Sequence, residues 1–238
     1  MGAENFQENQ IESWVYKELI KQIKLIALGR LPESPETLPP QIDCGLFYKI
    51  TEKMTEATKN DDEKRERVRL ITAESNIEPE KVDTNKIAID LNQIKIGISP
   101  KDTIGGEGEV AAPIPPDKTF IGEIHTHYSG NPFSPGDLLC LLSDINGDKS
   151  RDLTSKVRFL GSGEIIMLLL KTQATPELET QEAIDMINAS MKEIMRDEET
   201  PRAIKMQKEL TKFCEKFNIA VYSGNFNKGS SILSKVSA

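Results

Sequence analysis

The chain has 238 residues, enough for one large domain with a real core or for a domain with helical additions. Its 30 Lys and Arg stand against 38 Asp and Glu, a formal charge of −8, which argues against a nucleic-acid groove, where a basic surface is expected. The three cysteines, Cys44, Cys140 and Cys214, are far apart with no CxxC pairing, so they suggest neither a disulfide framework nor a zinc ribbon and fit a reducing, cytoplasmic setting.

The first residues are polar and acidic, without the regions of a signal peptide. Phe6 breaks the myristoylation pattern, and the longest apolar run, Ile165 to Leu170, is far too short to span a bilayer. A soluble chain with no membrane partner is expected. From Ile11 to Leu28 the apolar residues follow a helical period and end at Gly29, a natural residue after a helix. Arg30 to Pro40 carries four prolines and reads as a linker on the surface, so residues 1–40 are taken as an amphipathic helix plus linker and 41–238 as the main domain. Residues 44–75 are expected to be helical, interrupted at Asn60-Asp61-Asp62-Glu63, with Lys53 to Arg67 as a solvated charged face. Between Lys86 and Ser99 the residues Ile87, Ile89 and Leu91, then Ile94, Ile96 and Ile98, alternate at period two. They predict two strands turning at Asn92-Gln93, or one long bent strand. Lys101 to Asp117 is Gly- and Pro-rich and reads as a loop.

The chain's two histidines, His125 and His127, fall in the next stretch, FIGEIHTHYSGNPFSPGDLL. On a strand, side chains two apart share a face, so the two imidazoles stand side by side while Gly122, Ile124 and Thr126 face the other way. After a loop of turn formers, Ser134 and Pro135 mark a helix start and place Asp137 in the first helical turn. Ser134-x-x-Asp137 also has the form of a capping box. Two histidines and one aspartate leave a coordination position for water, the arrangement of catalytic rather than structural zinc, although ligand type alone also admits iron, cobalt or manganese.

Beyond this helix, Asp144-x-Asn146-x-Asp148 has the flavour of a calcium loop, but the glycine and distal glutamate of an EF-hand are out of place and a plain loop is expected. Val157 to Leu160 and Ile165 to Leu170, joined by Gly161-Ser162-Gly163, predict a β-hairpin. Glu179 to Phe217 is helical in pattern, broken at Thr200-Pro201, and Asn218 to Tyr222 suggests a last strand.

His125-Thr126-His127 followed by Ser134 and Asp137 resembles the H-x-H…S-x-x-D signature of the JAMM (MPN+) metalloproteases, the zinc-dependent deubiquitinases and their prokaryotic relatives. The six residues between His127 and Ser134 are one fewer than is usual there. The resemblance covers about residues 75 to 172. It implies an α/β fold, an MPN-like, cytidine-deaminase-like mixed curved sheet with surrounding helices, to which this chain adds helical segments at both ends. It implies Zn2+ on His125, His127 and Asp137, with Ser134 donating to the oxyanion of the tetrahedral intermediate. It also implies a glutamate at the edge of the first strand that moves the water's proton to the leaving amine. The candidates, in order, are Glu80, Glu74 and Glu107; Glu78 lies near the first two. Asp43-Cys44-Gly45-Leu46 is similar to the family's glutamate–strand junction but carries Asp and lies too far upstream. Glu123 shares a face with His125 and is expected to support the ligands from behind. The implied function is hydrolysis of amide or isopeptide bonds, removing or processing a ubiquitin-like or other small protein modifier. The alternative is a non-catalytic scaffold of the same fold that binds protein partners.

Overall fold

Apolar residues on both faces of a single sheet set the architecture. The computed structural model describes residues 18–75, 91–105, 112–128, 134–143, 153–196 and 202–236. Helix α1 occupies 18–27, followed by β1 (Gln41–Asp43), α2 (Gly45–Lys59), β2 (Arg67–Ser75), β3 (Ile94–Ile98), β4 (Thr103–Ile104) and β5 (Thr119–His127). Then come α3 (Pro135–Leu142), β6 (Val157–Ser162), β7 (Ile165–Leu170), α4 (Thr180–Arg196), α5 (Arg202–Lys216), β8 (Ala220–Asn225) and β9 (Ile232–Lys235). The nine strands form one mixed sheet in the order β1-β9-β8-β7-β6-β5-β2-β3, with β4 also paired to β2.

Strand β7, Ile-Ile-Met-Leu-Leu-Leu, shows why the sequence reads as it does. Ile166, Leu168 and Leu170 enter a core shared with Leu19, Ile23 and Ile26 of α1 and Phe47, Tyr48 and Met54 of α2. Met167 and Leu169 enter a second core with Leu138, Leu141 and Leu142 of α3, Ala183 and Ile187 of α4, and Leu210 and Phe213 of α5. A strand covered on both faces needs apolar residues at every position, so its alternation disappears. The chain is a layered α/β structure, with α1 and α2 on one face of the sheet and α3, α4 and α5 on the other.

Among the strand pairs of the described residues, β5 and β6 alone run parallel. Parallel neighbours need a crossover connection, and α3 lies in it. The crossover starts at the carboxyl end of β5, where open α/β sheets commonly place ligands.

Helix α2 sits close on the sheet. A Cβ on Gly161 would come within 2.0 Å of Thr55 Oγ1 and 2.9 Å of Thr51 Cγ2, and Phe47 stacks on Phe159 at 4.8 Å between ring centroids. The carboxyl end of α2 is tied to the histidine strand by a buried hydrogen bond of 2.6 Å between the Thr58 and Thr126 hydroxyls.

Several expectations need correction. Residues 67–75 are not helical: they form β2, the strand between β5 and β3. The helix stops because Asn60 and Asp61 turn the chain, the Asp61 carboxylate accepting from Glu63 N–H at 3.0 Å and Arg65 Nε at 3.1 Å, and Lys64 has a left-handed φ of 56°. The Pro-rich segment is held by the sheet: Leu38 is buried, the Tyr222 hydroxyl donates to Pro39 O at 2.7 Å and Lys235 Nζ to Pro35 O at 2.7 Å. The strand expected at Asn218 to Tyr222 is β8 (Ala220–Asn225), but it is not the last: β9 follows and pairs with β1, neither of which the sequence pattern announced. The alternating run at Ile87 to Leu91 falls partly, and the Asp144-Asn146-Asp148 loop wholly, outside the described residues; Leu91 to Gln93 is a 3-10 turn leading into β3. Among the described residues no helix is long and apolar enough to cross a membrane, and all three cysteines are free.

Candidate metal centre

Strand β5 presents His125 and His127 on the face covered by α3, α4 and α5, both buried, with ring centroids 4.9 Å apart. Their backbone neighbours are fixed by register: His125 lies opposite Val68 of β2 and Leu160 of β6, and His127 opposite Ser162. Asp137 arrives from α3. Ser134 is its N-cap in extended conformation, with Pro135 next, and the Asp137 carboxylate at the third helical position folds back to the cap. Asp137 Oδ2 accepts from the Ser134 backbone N–H at 2.7 Å and from the Ser134 hydroxyl at 2.9 Å. The capping box therefore aims the carboxylate at the strand.

One potential ligand atom from each of His125, His127 and Asp137 lies within 4.8 Å of the others. His127 Nε2 is 3.2 Å from Asp137 Oδ2, but without hydrogen-bond alignment, so that nitrogen is buried with no hydrogen-bond partner among the described residues. Buried polar atoms are normally satisfied. An unsatisfied imidazole nitrogen beside a carboxylate oxygen and a second imidazole fits a group that takes up a metal ion. Burial would raise the Asp137 pKa, but the pull of His127, Arg158 and His125 overrides it and holds the carboxyl well below the usual range. Asp137 is thus anionic, as a ligand must be.

Around His125, His127 and Asp137 stands a ring of charge. Arg158, beside Glu123 in the β5–β6 register, donates to Asp137 Oδ1 at 2.7 Å and contacts Glu123 Oε1 at 2.5 Å. Burial works to lower the Arg158 pKa, and Glu123, Cys140 and Asp137 outweigh it and raise it. Burial likewise works to raise Glu123, while the Arg158 charge and His125 bring it below its ordinary value. His125 Nδ1 is 3.5 Å from Glu123 Oε1, the place of the carboxylate that commonly orients a ligating histidine. Burial lowers the His125 pKa, yet hydrogen bonds to Glu123 and Glu66 prevail and raise it to about 9. The Cys140 thiol, one helical turn beyond Asp137, is pushed up by burial.

The carboxyl group that reaches the other nitrogen of His125 is Glu66, with Oε2 at 3.1 Å from Nε2. Glu66 is buried and lies just before β2, in the register position facing the His127 end of β5. Its backbone is pinned: Gly105 N–H donates to Glu66 O at 3.1 Å, and the following Arg67 N–H donates to Thr126 Oγ1 at 3.2 Å. None of the three glutamates expected from the sequence is seen at this place. Glu74 lies near the other end of β2, eight residues and roughly 27 Å of extended chain away, exposed and paired with Lys118 at 2.8 Å. Glu80 and Glu107, like Glu78, lie outside the described residues. Asp43 ends β1 at the opposite edge of the sheet, where its carboxylate accepts from Gly45 N–H at 2.9 Å. The signal for Glu66 was present: Arg67-Val68-Arg69-Leu70 alternates and runs into Ile71-Thr72, so a glutamate stands at the edge of a strand 59 residues upstream of His125. Reading 44–75 as helix concealed it.

The arrangement combines three buried side chains that could hold a metal ion with a carboxyl group at hydrogen-bond distance from one of them and a hydroxyl at the helix start. No protein-family model matches the chain, and no match was found among the curated proteins or the solved structures.

Proposed function

We propose that the chain is a zinc-dependent hydrolase of amide or isopeptide bonds that removes or processes a ubiquitin-like or other small protein modifier, with a sheet of the MPN-like class. The observation that carries this reading is Glu66 beside His125 within the His125, His127 and Asp137 cluster. It supplies the acid–base group that the resemblance to the JAMM motif requires, and whose lack would have favoured a non-catalytic scaffold.

His125, His127 and Asp137 would hold the ion, and a two-His, one-carboxylate set suits Zn2+. When bound, Zn2+ brings the pKa of its water to near neutrality and polarises the scissile carbonyl. Glu66 takes the proton of the attacking water and hands it to the leaving amine as general base and then general acid. Ser134, whose hydroxyl in the structure donates to Asp137 Oδ2, offers that donor to the developing oxyanion. Glu123 orients His125, and Arg158 orients Asp137 through Oδ1, leaving Oδ2 on the side of His127.

The test is elemental analysis of the purified protein beside His125→Ala/His127→Ala, together with release of a fluorogenic amine from the C-terminus of ubiquitin and cleavage of a lysine-linked isopeptide. One zinc per chain, lost in the double variant along with turnover, is expected. A folded wild type that takes up no metal after zinc is added back overturns the proposal.

A further inference from the structure

Arg158 reaches the centre from β6 with a side chain that is 3% exposed. Its contacts there converge on one nitrogen: Nη2 lies 2.5 Å from Glu123 Oε1, 2.7 Å from Asp137 Oδ1 and 3.3 Å from His125 Nδ1. Nε, meanwhile, is buried with no hydrogen-bond partner among the described residues. A guanidinium acting as a structural clamp uses its fork, two parallel N–H···O bonds to one carboxylate. Here groups from β5 and α3 gather around a single nitrogen much as ligands gather around a cation, and a buried donor is left unsatisfied, which is itself unfavourable. The arrangement serves the placing of a positive charge better than the saturation of a hydrogen-bond donor.

We infer that Arg158 is a built-in counter-cation of the metal centre: it keeps Asp137 and Glu123 assembled in the metal-free protein and loosens the hold of the assembled site on its ion. The inference rests on the metal-centre reading above. Without the guanidinium, Asp137 and Glu123 become buried carboxylates deprived of a shared partner, and removing one member of a buried ion pair is strongly destabilising. An incoming dication, in turn, meets a resident positive charge in a poorly screened interior, where repulsion over a few ångströms is large. Both effects act in the same direction. The metal-free state is favoured by Arg158 and the loaded state is opposed by it, so the centre is formed before the ion arrives and can release it again. Arg158 is in this sense a positioning residue, acting through Asp137 and Glu123.

The experiment compares wild type, Arg158→Met and Arg158→Lys, each as the full chain, by thermal unfolding with chelator or with Zn2+ and by Zn2+ affinity in competition with a chromophoric chelator. Arg158→Met should unfold about 10 °C below wild type when metal-free, recover about 4 °C of that difference with saturating Zn2+, and bind Zn2+ about ten-fold more tightly, as the lost repulsion dictates. Arg158→Lys, which keeps the charge and loses the planar fork, should stay near wild type in Zn2+ affinity. Equal loss of stability with and without Zn2+, failure of Arg158→Met to fold even with Zn2+, unchanged or weaker affinity in Arg158→Met, or the same affinity change in Arg158→Lys as in Arg158→Met would each overturn the inference and leave the metal centre standing. A wild type that binds no Zn2+ would instead remove the metal-centre reading and the inference with it.

Discussion

Replacing Glu66 by glutamine should separate chemistry from metal binding. The side chain is only 10% exposed and its Oε2 is 3.1 Å from His125 Nε2. Glutamine has the same shape, keeps an oxygen for the imidazole, and leaves the backbone bond from Gly105 intact. Fold and ligand set should therefore survive. What disappears is a group able to take a proton and return it. General acid–base catalysis contributes roughly 10²- to 10⁴-fold, so the rate should fall by about that factor, equivalent to roughly 3 to 5 kcal/mol of barrier. The assay is kcat/KM for amine release from the ubiquitin C-terminus, with zinc content measured on the same preparation. Glu74→Gln, at the exposed end of β2, is the control and should leave both quantities unchanged. A Glu66→Gln protein with full zinc and full rate would refute the assignment, and a rate collapse in Glu74→Gln would relocate it.

Asp137→Asn should keep the helix start, because the amide oxygen can still accept from Ser134 N–H, and should weaken Zn2+ binding by at least ~100-fold, a chelator titration giving the number. Ser134→Ala removes one of two donors to Asp137 Oδ2 and leaves the backbone donor, so zinc content should be retained while kcat drops about 10²- to 10³-fold as an oxyanion donor is lost; loss of zinc with no separate kcat effect would make Ser134 an orienting cap alone. The pKa of His125, raised from 6.5 to about 9 in the folded metal-free protein, gives a stabilisation fully present below pH 6.5 and lost as pH rises through about 9. Denaturant melts of chelator-treated protein should show a loss of at most roughly 3 kcal/mol across that window, and a flat profile would contradict the protonated imidazole between Glu66 and Glu123.

The His125, His127 and Asp137 group was legible in the sequence because its geometry is local. His125 and His127 share a face through strand period alone, and Ser134-Pro135-x-Asp137 is a helix start that any chain would read the same way. The hairpin at β6 and β7 and the two C-terminal helices followed from similarly local patterns, while the α/β class came from the resemblance of the motif. Glu66 was not legible in the same sense. Its approach to His125 depends on the antiparallel register of β2 against β5, Arg67 opposite Thr126, and no local pattern states a register between strands so far apart in the chain. The charged run Glu63-Lys64-Arg65-Glu66-Arg67 added a wrong cue, since alternating charges after α2 look like one more turn of solvated helix. The charges are instead spent on a network in which Asp61 binds Arg65 and Arg67, and Asp102 binds Arg67 and Arg69. β1 and β9 escaped for the same reason as Glu66: strands of three and four residues gain their identity from the partner they pair with.

This difference in origin has a mechanical consequence. The ligands are fixed by β5, α3 and the Arg158 and Glu123 contacts beneath them, whereas Glu66 is fixed by the turn after α2, by Gly105 and by the Thr58, Thr126 and Arg67 hydrogen bonds on the other face of the sheet. Losing the Thr58 hydroxyl removes no bond made by the His125, His127 or Asp137 side chains, but it loosens Thr126, which also accepts from the Arg67 N–H next to Glu66. If Glu66 carries the proton as proposed, acid–base catalysis depends on its hydrogen-bond reach, and a shift of about 1 Å there should lower the rate about 10²-fold with zinc content retained. On the proposed function, metal binding and proton transfer are held by largely different sets of bonds, which meet at Thr126 between the two histidines and where Glu66 reaches His125.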